Sequence, residues 1–529
     1  MKNYKPSLIF FVVIGLLSVL FYDSILDKPP MGVHIWRQAD CLSMAQLYQQ
    51  GSSFLEPEMH LQFADEYSSG KSAGEFPIMY YMVGKYWSVF GFSYLSYRLG
   101  MLGLLIISLY VLFLTLHNAF KSTFWALIPT ILVYSSPVFA FYGVSFLTDV
   151  PAFCLNILAC CSLYFYVRSH RSLLLILAFG FFLLAGLIKV SSLIVFVFLM
   201  GLYVLEIFGF KGLNTKPLFK NKIHSALGFF IVLMGVFSWY KYADYYNGLH
   251  GFKYTFNAIY PIWHEGGQSV SDIFKEIISI TSYSWHSRIT LVLLPIILII
   301  VLIKFKTLPK VIGFGVLATS SGAFLYFLLW SRLMGAHDYY YTPMLSLSIP
   351  LVITAVLLLK KEFQKLYTNK WILGIVCVFA LYNVAYCYEY IQYRSLKTSG
   401  EATLINSKEL SGIYTWTNWF VKETYHPLAD EEGLIALGIE KHDKVICLPD
   451  QSFNASLHFL NRKGWTNFAQ YTESAQLDNL ISKGASYLIV LEEEKLKQKF
   501  LQPFLQKPLG RLGNAWVFDL KGKGVTIEE

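Results

Sequence analysis

Hydrophobic positions in this chain come in long unbroken stretches up to about residue 390 and in short ones thereafter. Crossing the hydrocarbon of a bilayer as a helix takes about 17–25 consecutive apolar residues. Stretches of that kind lie near 7–24, 95–117, 122–142, 148–168, 171–187, 190–209, 223–243, 288–305, 311–330, 340–359 and 371–390. They predict a polytopic α-helical membrane protein with about eleven spanning helices. The first apolar run follows Lys2 and Lys5, as the core of a signal peptide would. The next residues, Asp23-Ser24-Ile25-Leu26-Asp27, offer no small-x-small cleavage site, so an uncleaved first span is expected.

Beyond the last span the pattern shortens. Lys444–Pro449, Ser486–Leu491 and Asn514–Phe518 read as strands, with a helix near 454–462. Short apolar runs bounded by Gly and Pro and alternating with helical stretches predict a small, partly parallel α/β sheet. The expected organisation is a transmembrane domain over 1–393, with a long first loop at about 24–94, followed by a soluble α/β domain over 394–529. There is no internal repeat and no low-complexity segment.

Charge adds sidedness. With the N-terminus inside, the inner loops carry Lys121; Arg168 and Arg171; Lys211, Lys216, Lys220 and Lys222; Lys304, Lys306 and Lys310; and Lys360, Lys361, Lys365 and Lys370. Few acids accompany them, as the positive-inside rule requires. An odd number of spans then puts the α/β domain outside the cytoplasm, and the expected location is the cell (inner or plasma) membrane. Residues 395–529 carry 15 Lys/Arg against 17 Asp/Glu, a net −2, so within the chain's total of +9 the transmembrane part carries +11, placed in its short loops. That distribution argues against a nucleic-acid partner.

The composition agrees: 55% hydrophobic and 15% charged, against about 25% charged in soluble chains. The seven cysteines form no CxxC pair and read as buried apolar thiols. Phosphate-loop, dinucleotide-binding, zinc-protease and nucleophile-elbow motifs are all lacking. The triplet Asn454-Ala455-Ser456 has the form of a glycosylation sequon but carries little weight.

Ionisable residues kept at span ends are functional suspects, because polar groups at membrane depth are costly. On the outer side these are Asp40, Glu75, Lys85, Asp149, Lys189, Arg332, His337 and Asp338, with Tyr339, Tyr340 and Tyr341. They come from separate stretches, yet the topology places them on one face. Asp40, on a helical stretch with a shallow apolar face, has the chemistry of a general base or a metal ligand; pairing with Arg37 is its plain structural alternative. Glu75 precedes a second helical stretch bearing Lys85 and reads either as a substrate ligand or as an acid favoured at a helix start. Asp149 in Thr148-Asp149-Val150-Pro151 is placed to start a helix. Lys189 interrupts an apolar stretch on the face where positive charge is not expected, a position suited to a phosphate. Arg332 offers a forked donor for phosphate oxygens, His337 a second donor, and Tyr340 belongs either to this site or to an interfacial aromatic belt.

The order of these elements resembles that of the GT-C membrane glycosyltransferases, in the branch of the protein O-mannosyltransferases and the lipid A aminoarabinose transferase. The shared layout is an early acid in a long first loop (Asp40), a second acid (Asp149), a Gly-Leu-x-x-Lys turn (Gly186-Leu187-Ile188-Lys189) and a late Tyr-Tyr-x-x segment (Tyr340-Tyr341-Thr342-Pro343). The likeness covers roughly residues 1–390. Asp40-Cys41 stands where the mannosyltransferases have Asp-Glu, and Glu75-Phe76-Pro77 where Lys-Pro-Pro is expected, so neither mannose nor aminoarabinose specificity is implied. Trp36-Arg37-Gln38-Ala39-Asp40 resembles a bacterial subgroup of glycosyltransferases.

The resemblance implies a donor sugar on a polyprenyl phosphate and an extracytoplasmic lipid, glycan or protein acceptor. It implies Asp40 as base and Asp149 in support, with Lys189, Arg332 and His337 facing the leaving phosphate, and it is compatible with a divalent ion on Asp40 and Asp149. The competing readings are a polysaccharide polymerase or ligase of another fold, or a lipid-glycan transporter or flippase. A transporter would bury charge near the bilayer midplane, whereas the ionisable residues here gather at span ends.

Overall fold

A computed structural model of the chain describes residues 5–32, 34–63, 69–210, 217–251, 259–264, 269–278, 282–395, 404–405 and 423–521. Lys211 and Lys216, two of the expected inner-loop cations, and residues 64–68 of the first loop lie outside the described residues.

Each expected span is helical. In chain order the helices are α1 (Lys5–Tyr22), α2 (Ile35–Gln49), α3 (Ile78–Phe90), α4 (Tyr94–Phe120), α5 (Thr123–Tyr134), α6 (Pro137–Gly143), α7 (Asp149–Ser169), α8 (Ser172–Ile188), α9 (Ile194–Ile207) and α10 (Lys222–Leu249). Then follow α11 (Arg288–Ile303), α12 (Lys310–Met334), α13 (Leu345–Glu362) and α14 (Lys370–Arg394). Among the described residues eight helical segments are long and apolar enough to cross a membrane, or nine if the bent α5–α6 pair is one span. The 72° bend falls at Ser135-Ser136-Pro137, where proline cannot continue the helix before it. Two more of the eleven expected segments, α8 with 17 residues and α11 with 16, are apolar but shorter. The chain is thus a multi-pass membrane protein.

The chain divides into two compact units. The first comprises Met1–Pro29, Tyr94–Trp239 and Ala258–Trp416. Of the eight long apolar helical segments α7 is the most enclosed, buried from Asp149 through Ala159. By contrast α1 exposes Leu8, Ile9, Phe11, Val12, Leu16 and Val19, the lipid-facing side expected of a peripheral span.

The second unit comprises Pro30–Ser93, Tyr240–Asn257 and Thr417–Glu529. Its strands are β1 (Lys444–Leu448), β2 (Gly464–Thr466), β3 (Ala485–Val490), β4 (Pro508–Leu512) and β5 (Ala515–Asp519), in the order β2-β1-β3-β5-β4. Strand β1 runs parallel to β2 and β3, while β5 runs antiparallel to β3 and β4. The central strands are covered on both faces, which explains their unbroken apolar character. Ile446, Leu448, Leu488 and Val490 pack with Leu477 and Leu480 of helix α16 (Ser474–Ser482). On the other face Val445, Cys447, Ile489 and Val517 pack with Leu457 and Leu460 of helix α15 (Ala455–Leu460), and with Ile35, Ala39 and Leu47 of α2.

The first long loop therefore supplies part of the core of the sheet unit. Residues 61–63 also extend the sheet: Gln62 forms a parallel bridge to Gly464, Gly464 N donates to Leu61 O at 3.0 Å, and Phe63 N donates to Gly464 O at 2.8 Å. Helix α3 closes on α2 at Gly84, where a Cβ would stand 2.6 Å from both Ala45 O and Tyr48 Cβ. Asn247 ties in the third segment, with Oδ1 accepting from Ala73 N at 2.7 Å and Nδ2 donating to Ala73 O at 2.8 Å.

Candidate functional site

The sheet unit holds Asp40, Glu75 and Lys85. Asp40 lies in the first half of α2, a helix buried on nearly every side rather than on one shallow face. The reason is non-local: α3 and α15 each cover a side that the periodicity of Ala39–Tyr48 leaves polar. Asn454, at the head of α15, places its Oδ1 2.9 Å from Leu61 N and its Nδ2 3.5 Å from Ala39 O. Its side chain is fully buried, so the Asn454-Ala455-Ser456 triplet is a structural joint.

Asp40 is 3% exposed and faces His60, whose Nδ1 stands 3.3 Å from Asp40 Oδ1. Arg37 pairs with Glu75 rather than with Asp40. Tyr80 on α3 donates to the same Glu75 carboxylate at 2.7 Å, so Glu75 joins α2 to α3. Burial is the strongest single influence on Arg37 and lowers its pKa, but Glu75, together with smaller contributions from Cys41, Tyr80 and Asp40, outweighs it and holds the guanidinium well above its ordinary value. The neighbouring Cys41 thiol is pushed up to about 12 by burial, which removes it as a nucleophile beside Asp40. Lys85 lies on the exposed side of α3 with its ammonium 5.3 Å from the Tyr81 ring centre.

Helix α2 meets α15 through His458, whose Nδ1 is 2.8 Å from Gln46 Oε1. Burial pulls the His458 pKa down from 6.5 to about 3, so the folded protein holds this ring neutral. On unfolding the ring takes up a proton below about pH 6.5, its ordinary value. Its contribution to stability is therefore complete above that pH and declines by about 1.4 kcal/mol per unit as the pH falls towards the folded value. Unfolding midpoints of the full chain in detergent, followed by tryptophan fluorescence between pH 7 and about 4, are expected to fall less steeply in His458→Asn than in wild type. Equal slopes would show that this ring is not the acid-sensitive element.

The helical unit holds the remaining predicted residues. Asp149, 5% exposed, begins α7, and Lys189 ends α8 where the chain passes into the short 3-10 turn Val190–Leu193. Their side chains meet, with Lys189 Nζ 3.1 Å from Asp149 Oδ1. Tyr339 and Tyr340 stand beside the same ammonium, with ring centres 5.7 and 5.4 Å from it. His337 lies against these rings, at 5.4 Å from Tyr339 and 6.2 Å from Tyr340. Five predicted positions thus come together: Asp149, Lys189, His337, Tyr339 and Tyr340. Arg332 is bound to the preceding loop, with Nε donating to Pro261 O at 3.2 Å and Nη2 to Ile262 O at 3.5 Å.

Asp338 forms a buried ion pair with Arg394 at the end of α14 and also accepts from Tyr142 at 2.5 Å and Tyr390 at 2.9 Å. His60 and Arg394 were missed in the sequence. For Arg394 a signal existed: it is a cation at the end of an apolar segment, as Lys189 is. His60 had none, because its partner is set by the fold of a loop. All seven cysteines are free thiols, five of them buried. Among the described residues no three His, Cys, Asp or Glu side chains come together as a metal site.

No protein-family model and no curated protein matches the sequence. Solved structures do. ArnT from Cupriavidus metallidurans in the apo state superposes with a TM-score of 0.58 at 13% identity, covering 98% of each chain. The same protein bound to undecaprenyl phosphate gives 0.60 at 11% identity, again over 98% of both chains. The mycobacterial arabinofuranosyltransferase AftD gives 0.49 at 12% identity, over 93% of this chain and 37% of that one. The ArnT superposition takes in both the helical segments and the small sheet. This chain has the fold of the GT-C membrane glycosyltransferases.

Proposed function

We propose that this protein is an integral membrane glycosyltransferase that moves a sugar from a polyprenyl-phosphate donor to an acceptor on the extracytoplasmic face of the cell membrane. The observation that carries the reading is the setting of Lys189. A single ammonium at the junction of two apolar segments is held between the Asp149 carboxylate and the Tyr339 and Tyr340 rings. It lies in a fold shared with a protein solved with undecaprenyl phosphate bound. The loop charges support an N-terminus in the cytoplasm and the opposite face for the sheet unit.

In this mechanism the acceptor oxygen or nitrogen attacks the anomeric carbon while the bond from that carbon to the phosphate oxygen breaks. The electron pair leaves with the polyprenyl phosphate, and the configuration inverts. Asp40 takes the acceptor proton. Lys189 answers the charge growing on the phosphate, a group already in place when the charge develops. Asp149 and the two tyrosines fix the ammonium, His337 is a further donor, and Glu75 holds α2 against α3.

The test uses purified full chain in lipid nanodiscs with a panel of undecaprenyl-phosphate-linked hexoses and pentoses and membrane extract as acceptor. Lys189→Met is expected to lower kcat/KM by about 100-fold or more and to weaken binding of undecaprenyl phosphate itself. Unchanged transfer by this variant sinks the phosphate role. Movement of lipid-linked sugar across vesicles without any transfer would establish the transporter reading instead.

A further inference from the structure

His60 is fully buried, 20 residues beyond Asp40 in sequence, with Nδ1 3.3 Å from the Asp40 carboxylate. Its backbone is held from both sides. On one side Gly70 closes over it, Met59 N donating to Gly70 O at 3.0 Å, and a Cβ at Gly70 would stand 1.8 Å from His60 O. On the other side the next three residues belong to the edge of the sheet. Leu61 N donates to Asn454 Oδ1, Gln62 Oε1 accepts from Thr466 N at 2.6 Å, and Phe63 pairs with Gly464. The His60 ring lies 5.4 Å from that of Phe453, in the turn between β1 and α15. That turn is itself pinned by the buried Asp450, which accepts from Ser452 N and Ser456 N at 2.8 Å each and from Tyr425 at 3.0 Å.

We infer that His60 is a positioning residue for Asp40, and that the C-terminal sheet serves the reaction by holding His60 against that carboxylate. The inference rests on the reading of Asp40 as the base. A carboxylate on a helix turns about two side-chain bonds, and its lone pairs meet an acceptor proton only in a narrow range of those angles. A ring nitrogen fixed at one oxygen selects that range, as a second group orients the base in other acid–base pairs. The sheet is an exacting support for this purpose. The segment bearing His60 is hydrogen-bonded to β2 through Leu61 and Phe63, so the backbone that carries the ring cannot shift without breaking bonds at Gly464.

The experiment compares His60→Ala, His60→Asn and Asp40→Asn in the full chain, with the same nanodisc assay and undecaprenyl-phosphate sugar panel. His60→Ala is expected to lower kcat by roughly tenfold to 100-fold, the scale of a misplaced catalytic group, with KM changed less than about twofold. His60→Asn, which keeps an N–H donor close to the Nδ1 position, is expected to recover most of that loss. The spectroscopic arm needs no substrate. In protein labelled with 15N-histidine, the Nδ1 resonance assigned to His60 by its absence from His60→Asn is expected to shift in Asp40→Asn.

If Asp40→Asn is inactive while His60→Ala turns over at the wild-type rate, the positioning role is overturned and the base assignment stands. If Asp40→Asn is active, the base assignment itself fails. A His60 resonance insensitive to Asp40→Asn overturns the pairing even where His60→Ala is poorly folded.

Discussion

Asp40→Asn is expected to lower sugar transfer by about 10²–10⁴-fold, the usual contribution of a positioned general base, while leaving the binding of undecaprenyl phosphate unchanged. Asparagine matches aspartate in shape, so the packing of α2 between α3 and α15 survives, but an amide cannot accept the acceptor proton. The site favours such a reading of the defect because the side chain is almost enclosed, 5% exposed, and so contributes little to surface charge. Asp40→Glu keeps the acid but displaces it by about one methylene, and misplacement on the order of 1 Å costs about 100-fold. Both variants are expected to lose kcat rather than KM. Transfer at the wild-type rate by Asp40→Asn would show that the carboxylate is structural.

The second large effect is on stability. Arg394→Met is expected to destabilise the helical unit by about 3–5 kcal/mol, because removing one partner of a buried ion pair leaves the other charge uncompensated. Arg394 and Asp338 are 1% and 0% exposed in their side chains, and the four groups Arg394, Asp338, Tyr142 and Tyr390 form one connected network. Ser284 adds a contact of 2.6 Å to Tyr390. The network joins α6, α14 and the 3-10 segment Asp338–Met344, which carries Tyr339 and Tyr340 to Lys189. The measurement is the unfolding midpoint in detergent. Asp338→Asn added to Arg394→Met is expected to recover part of the loss, since no charge is then left unpaired. If the double variant is as unstable as the single one, hydrogen bonding rather than charge holds the segment.

What could be read from the sequence follows from how local each signal is. The apolar stretches became helices because lipid demands internally bonded backbone, and that demand is written in consecutive residues. Strands β1, β3 and β5 were legible because burial on both faces makes their residues uniformly apolar. Strand β2 is only three residues long, and β4 contains Pro508 and Gly510 and is largely exposed, so neither leaves a pattern. The meeting of Lys189 with Asp149 and Tyr340 was legible through topology, since span ends on one face are brought near each other. The burial of α2 was not, because its cover comes from α15, and Gln46 and His458 are 412 residues apart. His60, the partner of Asp40, is close in sequence, but the loop that places it is held at Gly464, across a separation similar to that between Gln46 and His458.

That separation sets a schedule for biosynthesis. At a synthesis rate of about 5–20 residues per second, α2 waits roughly 20–80 s before the strand and helix that complete its core leave the ribosome. During that interval Ile35, Ala39 and Leu47 have no sheet to pack against, and the His60 segment has no strand to join. Non-local pairing of this kind makes folding slow and exposes apolar surface to aggregation. Asp40 therefore acquires its finished surroundings only at the end of translation. A nascent chain arrested before β1 would carry every apolar helix and yet lack the sheet against which α2 packs.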